Sequence, residues 1–270
     1  MKRKQDLTYS INLLKELVKT DFKLRYQGSI LGILWSVLKP LALFIVMYTV
    51  FVRFLKFTDG TPTFPIVLLL GISLWSFFSE ATSVGMRAIV DRGDILRKIN
   101  FPKVIIVLST TTGSLIGLAI NLLVVIVFAL FSGVNFTWWI LLVPLGIIQL
   151  YAIAMGLSFI LATLYVKFRD IGHIWDVVLQ ALFYATPIIY PITMVTANHP
   201  EIAKIIMLSP LTQPIQDIRH NLIAPDTTAT TWGMIDNWYV AIIPIIITII
   251  LLIVGVMYFN RNSKKFAEDL

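Results

Sequence analysis

Between Lys103 and Lys167 the chain reads VIIVLSTTTGSLIGLAINLLVVIVFALF (Val104–Phe131), then SGVNFT (Ser132–Thr137), then WWILLVPLGIIQLYAIAMGLSFILATLYV (Trp138–Val166). It holds no Asp, Glu, Lys or Arg anywhere in that length. A helix that crosses a bilayer needs roughly 20 apolar residues, so this run is far too long for one crossing. Ser132-Gly133-Val134-Asn135 supplies the turn residues that divide it. The spacing predicts two spans, Val104–Phe131 and Trp138–Val166, that return the chain to its starting side and leave Lys103 and Lys167 in one compartment. The rest of the composition agrees. Of 270 residues 57% are hydrophobic and 14% are charged, with mean hydropathy +0.84, whereas a soluble domain carries about 25% charged residues. The bilayer is therefore the main solvent. In such a protein the location of charges matters more than their sum, so the net charge of +7 is a poor sign of nucleic-acid binding.

Working outward, further apolar runs predict a first span over about Ile30–Val52, interrupted by Lys39-Pro40, and a second over about Phe64–Ser83. A fifth covers about Ile174–Tyr190 and contains Pro187; a sixth covers about Tyr239–Phe259. Residues 191–237 hold apolar pieces too short to span, such as Ile202–Leu211, among Pro200, Pro210, Pro214 and Pro225. Such pieces read as re-entrant or interfacial. Near the start, Leu7, Ile11, Leu14, Val18 and Phe22 share one helical stripe, with Lys15, Lys19 and Lys23 opposite. That pattern suits a helix lying among lipid headgroups; the other reading is a helix packed on a protein surface. The basic start Met1–Lys4 has no apolar run or cleavage site behind it, which predicts an uncleaved N-terminus.

The expected fold is thus an all-α integral membrane protein with six transmembrane helices, an N-terminal amphipathic interfacial helix and short re-entrant helices between spans five and six. It forms a single transmembrane domain over 1–270: a cytoplasmic interfacial segment (1–29), a six-span bundle (30–260) and a cytoplasmic tail (261–270). With that topology 17 Lys and Arg fall on the side of both termini, four on the other, and Lys39 within a span. The bias places both termini in the cytoplasm.

Composition and motifs exclude several chemistries. There is no cysteine, hence no disulfide and no thiolate nucleophile or ligand. No Gly-x-x-x-x-Gly-Lys-Ser/Thr cradle for phosphates is present, so the chain has no nucleotide site of its own. His173, His199 and His220 lack metal-ligand spacing, and Gly-x-Ser-x-Gly is absent. No catalytic residue and no metal site is expected. An intramembrane enzyme acting on lipid-linked sugars needs clustered carboxylates or histidines, and Glu201, Asp217, Asp226 and Asp236 show no such spacing. A secondary transporter favours internal repeats and midplane charge pairs, and no repeat is visible.

Two places have functional promise. The loop Gly85–Pro102 alternates charges with Ile89, Val90 and Leu96. It suits either a short helix that docks into a groove on a soluble partner or a solvated loop at the headgroups, and spacing does not choose between them. Lys39 and Glu80 are ionisable residues within spans, where such groups are costly and default to function. They form a pair at similar depth, or they snorkel to the nearby interface. Among the aromatics, Trp138, Trp139, Trp232 and Trp238 suit interfacial belts; Trp35, Tyr48, Trp75 and Phe78 suit packing or the wall of a sugar path.

Four elements together resemble the membrane subunit of ABC-2 type exporters for polysaccharides and teichoic acids. They are Arg25-Tyr26-x-x-Ser29-x-Leu31-Gly32-x-Leu34-Trp35-x-x-x-x-Pro40; Leu96–Lys103; Phe168-Arg169-Asp170-Ile171; and Thr186–Pro191 followed by Ser209-Pro210-Leu211-Thr212 and Ile218-Arg219. One departure is Ser209, where that family often has Asn. The resemblance implies a homodimer with two cytoplasmic ABC ATPase subunits, which bind the ATP and Mg. It implies a lipid-linked polymer as substrate, threaded between protomers in a bacterial plasma (inner) membrane. By analogy Met86–Asn100 holds the coupling helix, with Arg87, Asp91, Arg92, Asp94, Arg97 and Lys98 toward the ATPase. Phe22, Arg25, Tyr26 and Trp35 form the elbow out of the interfacial helix. Lys39, Glu80, Tyr48, Trp75 and Phe78 are path candidates, and Pro187, Tyr190, Pro191, Pro210 and Arg219 belong to an exit-side gate.

Overall fold

The computed structural model describes residues 11–21, 23, 31–98 and 101–266, excluding the side chains of Ile33, Ile95, Arg97 and Lys98. The described residues form helices joined by turns, with no strand among them. Residues 11–21 form a first helix, α1. Helix α2 (Trp35–Met47) runs on through a wider π turn, Tyr48–Phe54. Then come α3 (Phe64–Asp91), α4 (Gly93–Lys98) and α5 (Val104–Phe131). A 3-10 turn, Trp138–Leu142, leads into α6 (Val143–Lys167), and α7 (Ile171–Ala185) follows. Five short helices precede the last long one: α8 (Ile192–Asn198), α9 (Pro200–Met207), α10 (Thr212–Leu222), α11 (Thr231–Met234) and α12 (Trp238–Ala241). The last is α13 (Ile243–Asn262).

Among the described residues five helical stretches are long and apolar enough to cross a membrane: Trp35–Phe54, Phe64–Asp91, Val104–Phe131, Trp138–Lys167 and Trp238–Lys265. The fifth span expected from the sequence takes a different form. Helix α7 starts at Ile171 and stops at Ala185, after 15 residues, about 22 Å at the helical rise against a hydrocarbon core of about 30 Å. It stops because Thr186 precedes Pro187, and a residue before proline is driven out of the α region; Thr186 is extended, with ψ 133°.

Helix α3 is the hub. It packs on α2, α5, α6, α7 and α10, and nineteen of its residues are buried. Its middle lies against α6, where Ser158 Oγ donates to the Ala81 carbonyl at 3.2 Å, and against α7, where Trp175 Nε1 donates to Thr82 Oγ1 at 3.1 Å. Helices α6 and α13 meet backbone to backbone: a Cβ on Gly156 would stand 3.0 Å from the Leu251 carbonyl, and one on Gly255 would strike the Gly156 carbonyl. Small residues permit that approach, and dispersion then holds the helices together where no hydrophobic effect operates between them.

A second apolar cluster ties one end of the bundle together. Ala88 and Ile89 of α3, Ile106 of α5, Phe159 and Val166 of α6, Phe259 of α13 and Phe266 form it. Basic residues gather near the ends of α3, α6 and α13 and the start of α5: Arg87, Arg92, Lys103, Lys167, Arg169 and Arg261. The opposite end is closed by α8–α12, of which α10 is sunk deepest, with nine of its eleven residues buried.

Candidate functional site

Helices α2, α3 and α5 enclose a cleft of about 500 Å³ at membrane depth. Most of its polar groups belong to span-length helices: Ser36 and Lys39 on α2, Ser76 and Glu80 on α3, Ser114 and Asn121 on α5. The local reason begins with Pro40. Proline has no N–H, so the carbonyl four residues earlier loses its helical partner. That carbonyl belongs to Ser36, and Asn121 Nδ2 donates to it at 3.0 Å while also donating to the Gly117 carbonyl at 2.9 Å. One amide thereby satisfies the gap in α2 and pins α2 to α5. Lys39 and Glu80 are both exposed on the cleft, and Ser114 Oγ lies 3.5 Å from Glu80 Oε1. Trp35 and Trp75 line it too. Phe78 does not: it is fully buried, with its ring 5.7 Å from Trp75 and 6.5 Å from Trp175. Tyr48 begins the π turn after α2, beside Phe44 at 5.7 Å and under the Arg53 guanidinium, also at 5.7 Å.

Beyond the cleft, the residues expected at an exit-side gate are partly gathered. Arg219 of α10 is fully buried and donates Nη1 to the Pro187 carbonyl at 2.6 Å and Nη2 to the Ile188 carbonyl at 2.7 Å. Its guanidinium occupies the space beside Gly71, where any Cβ would collide with it. Tyr190 Oη reaches back to the Tyr184 carbonyl at 3.3 Å and the Ala185 carbonyl at 3.5 Å, which caps α7. Pro191 precedes α8 beside Arg219, and Pro210 stands in the turn before α10. Helix α10 is tethered on its other side: Gln149 Nε2 of α6 donates to Gln213 Oε1 at 3.0 Å, and Gln213 Nε2 donates to the Ala241 carbonyl at 2.9 Å.

At the basic end α3 continues to Asp91, breaks at Arg92 (φ −119°, ψ 24°), and resumes as α4. Arg87 and Asp91, one turn apart, and Asp94 are exposed. Arg92 instead turns inward, pairing with Asp21 of α1 and donating to Ser109 Oγ of α5 at 3.0 Å. Lys103 donates to the Ser263 carbonyl and lies 5.7 Å from the centre of the Phe266 ring. Phe22, Arg25, Tyr26 and the side chains of Arg97 and Lys98 lie outside the described residues.

A profile of the family described as ABC-2 type transporter matches residues 12–223. The chain belongs to that family. It is similar to the O-antigen export system permease protein RfbA of Myxococcus xanthus, 33% identical over 186 residues that cover 68% of this chain and 70% of that protein. Two Klebsiella pneumoniae proteins of the same name are 29% and 28% identical over 271 residues, covering 100% of this chain and 99% of each. The family match spans α1 through α10, so the cleft, the Arg219 lock and the basic end all lie within it.

Several groups in this ABC-2 chain escape sequence reasoning. Asp21 is one of two acidic residues on α1, with no local mark that sets it apart until Arg92 is seen against it. Asn121 stands 81 residues from Pro40, with no local signal joining them. Gly71 gives no sign that the space beside it belongs to Arg219.

Proposed function

We propose that this chain is the membrane-spanning subunit of an ATP-driven exporter that passes a lipid-linked cell-surface polysaccharide from the cytoplasmic to the outer side of a bacterial plasma membrane. Two copies work with two ABC ATPase subunits, which bind the ATP and Mg. The observation that carries this reading is the cleft on the α2 face. Helix α2 with its π turn, Trp35–Phe54, is apolar and long enough to span, yet Pro40 is its one buried residue. That open face borders a polar cleft containing Lys39 and Glu80. A second copy set against α2 closes the cleft into a lined path suited to a hydroxyl-rich polymer. Membership in the ABC-2 family and the names of the relatives support the transport class and the cargo class.

In this reading the basic end faces the cytoplasm, consistent with the Lys and Arg bias. Helix α7 and the buried turn Thr186–Ile189 make the fifth of six crossings, with α8–α12 as re-entrant pieces at the exit side. Non-helical backbone is tolerated at membrane depth where protein satisfies it, and Arg219 supplies donors to that turn. Helix α1 rests on the inner headgroups. The exposed pair Arg87 and Asp91 meets the ATPase, while Arg92 holds α1 to the bundle.

The test is the reconstituted complex. The chain alone hydrolyses no ATP; with its ATPase it raises or couples hydrolysis and exports polymer. Charge reversal at Arg87 with Asp91→Lys cuts coupled export about tenfold or more, the effect of turning complementary charges into like ones across an interface. Export and assembly unchanged by both reversals would falsify the coupling assignment.

A further inference from the structure

A second pocket lies away from the cleft. It measures about 650 Å³ and opens between α6, α10 and the start of α13. Leu145, Ile148, Ile245 and Ile249 make its wall apolar. From Leu142 to Ala152 the wall follows ten residues of chain, about 15 Å at the helical rise and thus about the depth of one leaflet. Trp139 and Trp232, a residue type that settles at headgroup level, line the same pocket.

Two acceptors stand at its polar end, one turn apart on α10. Trp232 Nε1 donates to Asp217 Oδ2 at 3.4 Å. Asp217 Oδ1 is shielded from water and has no hydrogen-bond partner. Burial pushes this carboxyl up to about 6, against the Trp232 hydrogen bond, which favours the charged form. His220 Nδ1 lies 2.9 Å from the Thr228 carbonyl. A carbonyl only accepts, so Nδ1 carries the proton and the lone pair of the neutral ring is on Nε2.

We propose that this pocket binds one phospholipid with a primary ammonium headgroup, its N–H groups on Asp217 and His220 and an acyl chain along Ile148 and Ile249. The trough supplies burial for the chain, and a carboxylate oxygen without a partner supplies the demand for a charged donor. A carrier lipid bearing its polymer on a phosphate presents negative charge to Asp217 and is disfavoured. The pocket is therefore a resident-lipid site, separate from the path proposed above.

The test is native mass spectrometry of the full chain, offered phosphatidylethanolamine, phosphatidylcholine or phosphatidylglycerol at equal concentration. Phosphatidylcholine has the same phosphate and chains but no N–H. Phosphatidylethanolamine is retained about tenfold better than the other two, the ratio that one charged hydrogen bond supplies. Asp217→Asn lowers it to the phosphatidylcholine level, and Ile148→Trp, which fills the trough, lowers all three. Glycerophosphoethanolamine, the headgroup without tails, does not compete. Equal retention of the three lipids, full retention by Asp217→Asn, or competition by the tailless headgroup overturns the proposal. None of these readings depends on transport.

Discussion

Helices α3 and α2 are neighbours of similar apolar character that solve the same problem in opposite ways. Nineteen residues of α3 are buried, and α5, α6, α7 and α10 surround it. Helix α2 buries one, Pro40, and leaves Trp35, Leu38, Ile45 and Val46 exposed. In lipid no hydrophobic effect separates a buried leucine from an exposed one, so burial there reflects packing and polar partners. Helix α3 has both. Ser158 and Trp175 make hydrogen bonds to Ala81 and Thr82, and Gly71 leaves room for Arg219. Helix α2 is held to the bundle by a polar tether from Asn121 to Ser36. The difference separates a helix that specifies the protomer from a helix available to a partner.

The largest effect is expected where α3 is most committed. Gly71→Leu places a side chain in the volume of the Arg219 guanidinium. Arg219 must then leave the Pro187 and Ile188 carbonyls, two charged hydrogen bonds worth about 1.5–3 kcal/mol each. The expected result is a loss of roughly 3–6 kcal/mol and no stable monodisperse protein in detergent. Normal yield and thermal stability in the variant would show that Arg219 is not a lock and would erase the contrast between the two helices.

What the sequence shows and hides divides along the same line. Val104–Phe131 is legible to the residue because an apolar run bounded by Lys103 and Ser132-Gly133 is a local signal. Trp138–Val166 is nearly so; its first turn is wound as a 3-10 helix. Ile174–Tyr190 reads as one span by hydropathy, yet the helix ends at Ala185. Thr186-Pro187 announces that stop, but the Arg219 guanidinium that satisfies the turn comes from 31 residues further on. Arg92 reads as one more surface charge of a docking loop, although Asp21 and Ser109 hold it inward. Lys39 and Glu80 are visible as charges within spans, whereas the cleft they share is lined by three helices, α2, α3 and α5, that come together only in the fold. Periodicity reports one face of one helix, and these features arise where three helices meet.

The next effect concerns α2 alone. The chain has no cysteine, so Ile45→Cys creates a single reporter on an exposed position of α2. The protomer keeps its thermal stability within about 0.5 kcal/mol, the range for substitutions away from packed sites. Under oxidant, cells yield a disulfide-linked dimer and export falls as the path is locked. A variant that stays monomeric under oxidant, beside a matching cysteine on the lipid face of α13 that does cross-link, would assign the partner surface to α13 instead of α2.

The smallest structural effect with a functional consequence belongs to the cleft between the two helices. Replacing Lys39 and Glu80 together by Leu removes two ionisable groups at membrane depth without leaving one charge unpaired. Each such group is costly there, about 2.5–3.5 kcal/mol on insertion scales for Lys and Asp, so stability stays level or rises slightly. If the charges serve the path, export falls about tenfold, while assembly, measured by co-purification of the ATPase, stays intact. The single variants sharpen this. Lys39→Leu alone leaves Glu80 with Ser114, and Glu80→Leu alone leaves Lys39 free to extend toward the basic end, so a pair shows non-additive losses and two snorkelling anchors show additive ones. Full export by the double variant at unchanged stability would make the cleft a packing seam, and the exposed face of α2 would then need another occupant than the polymer.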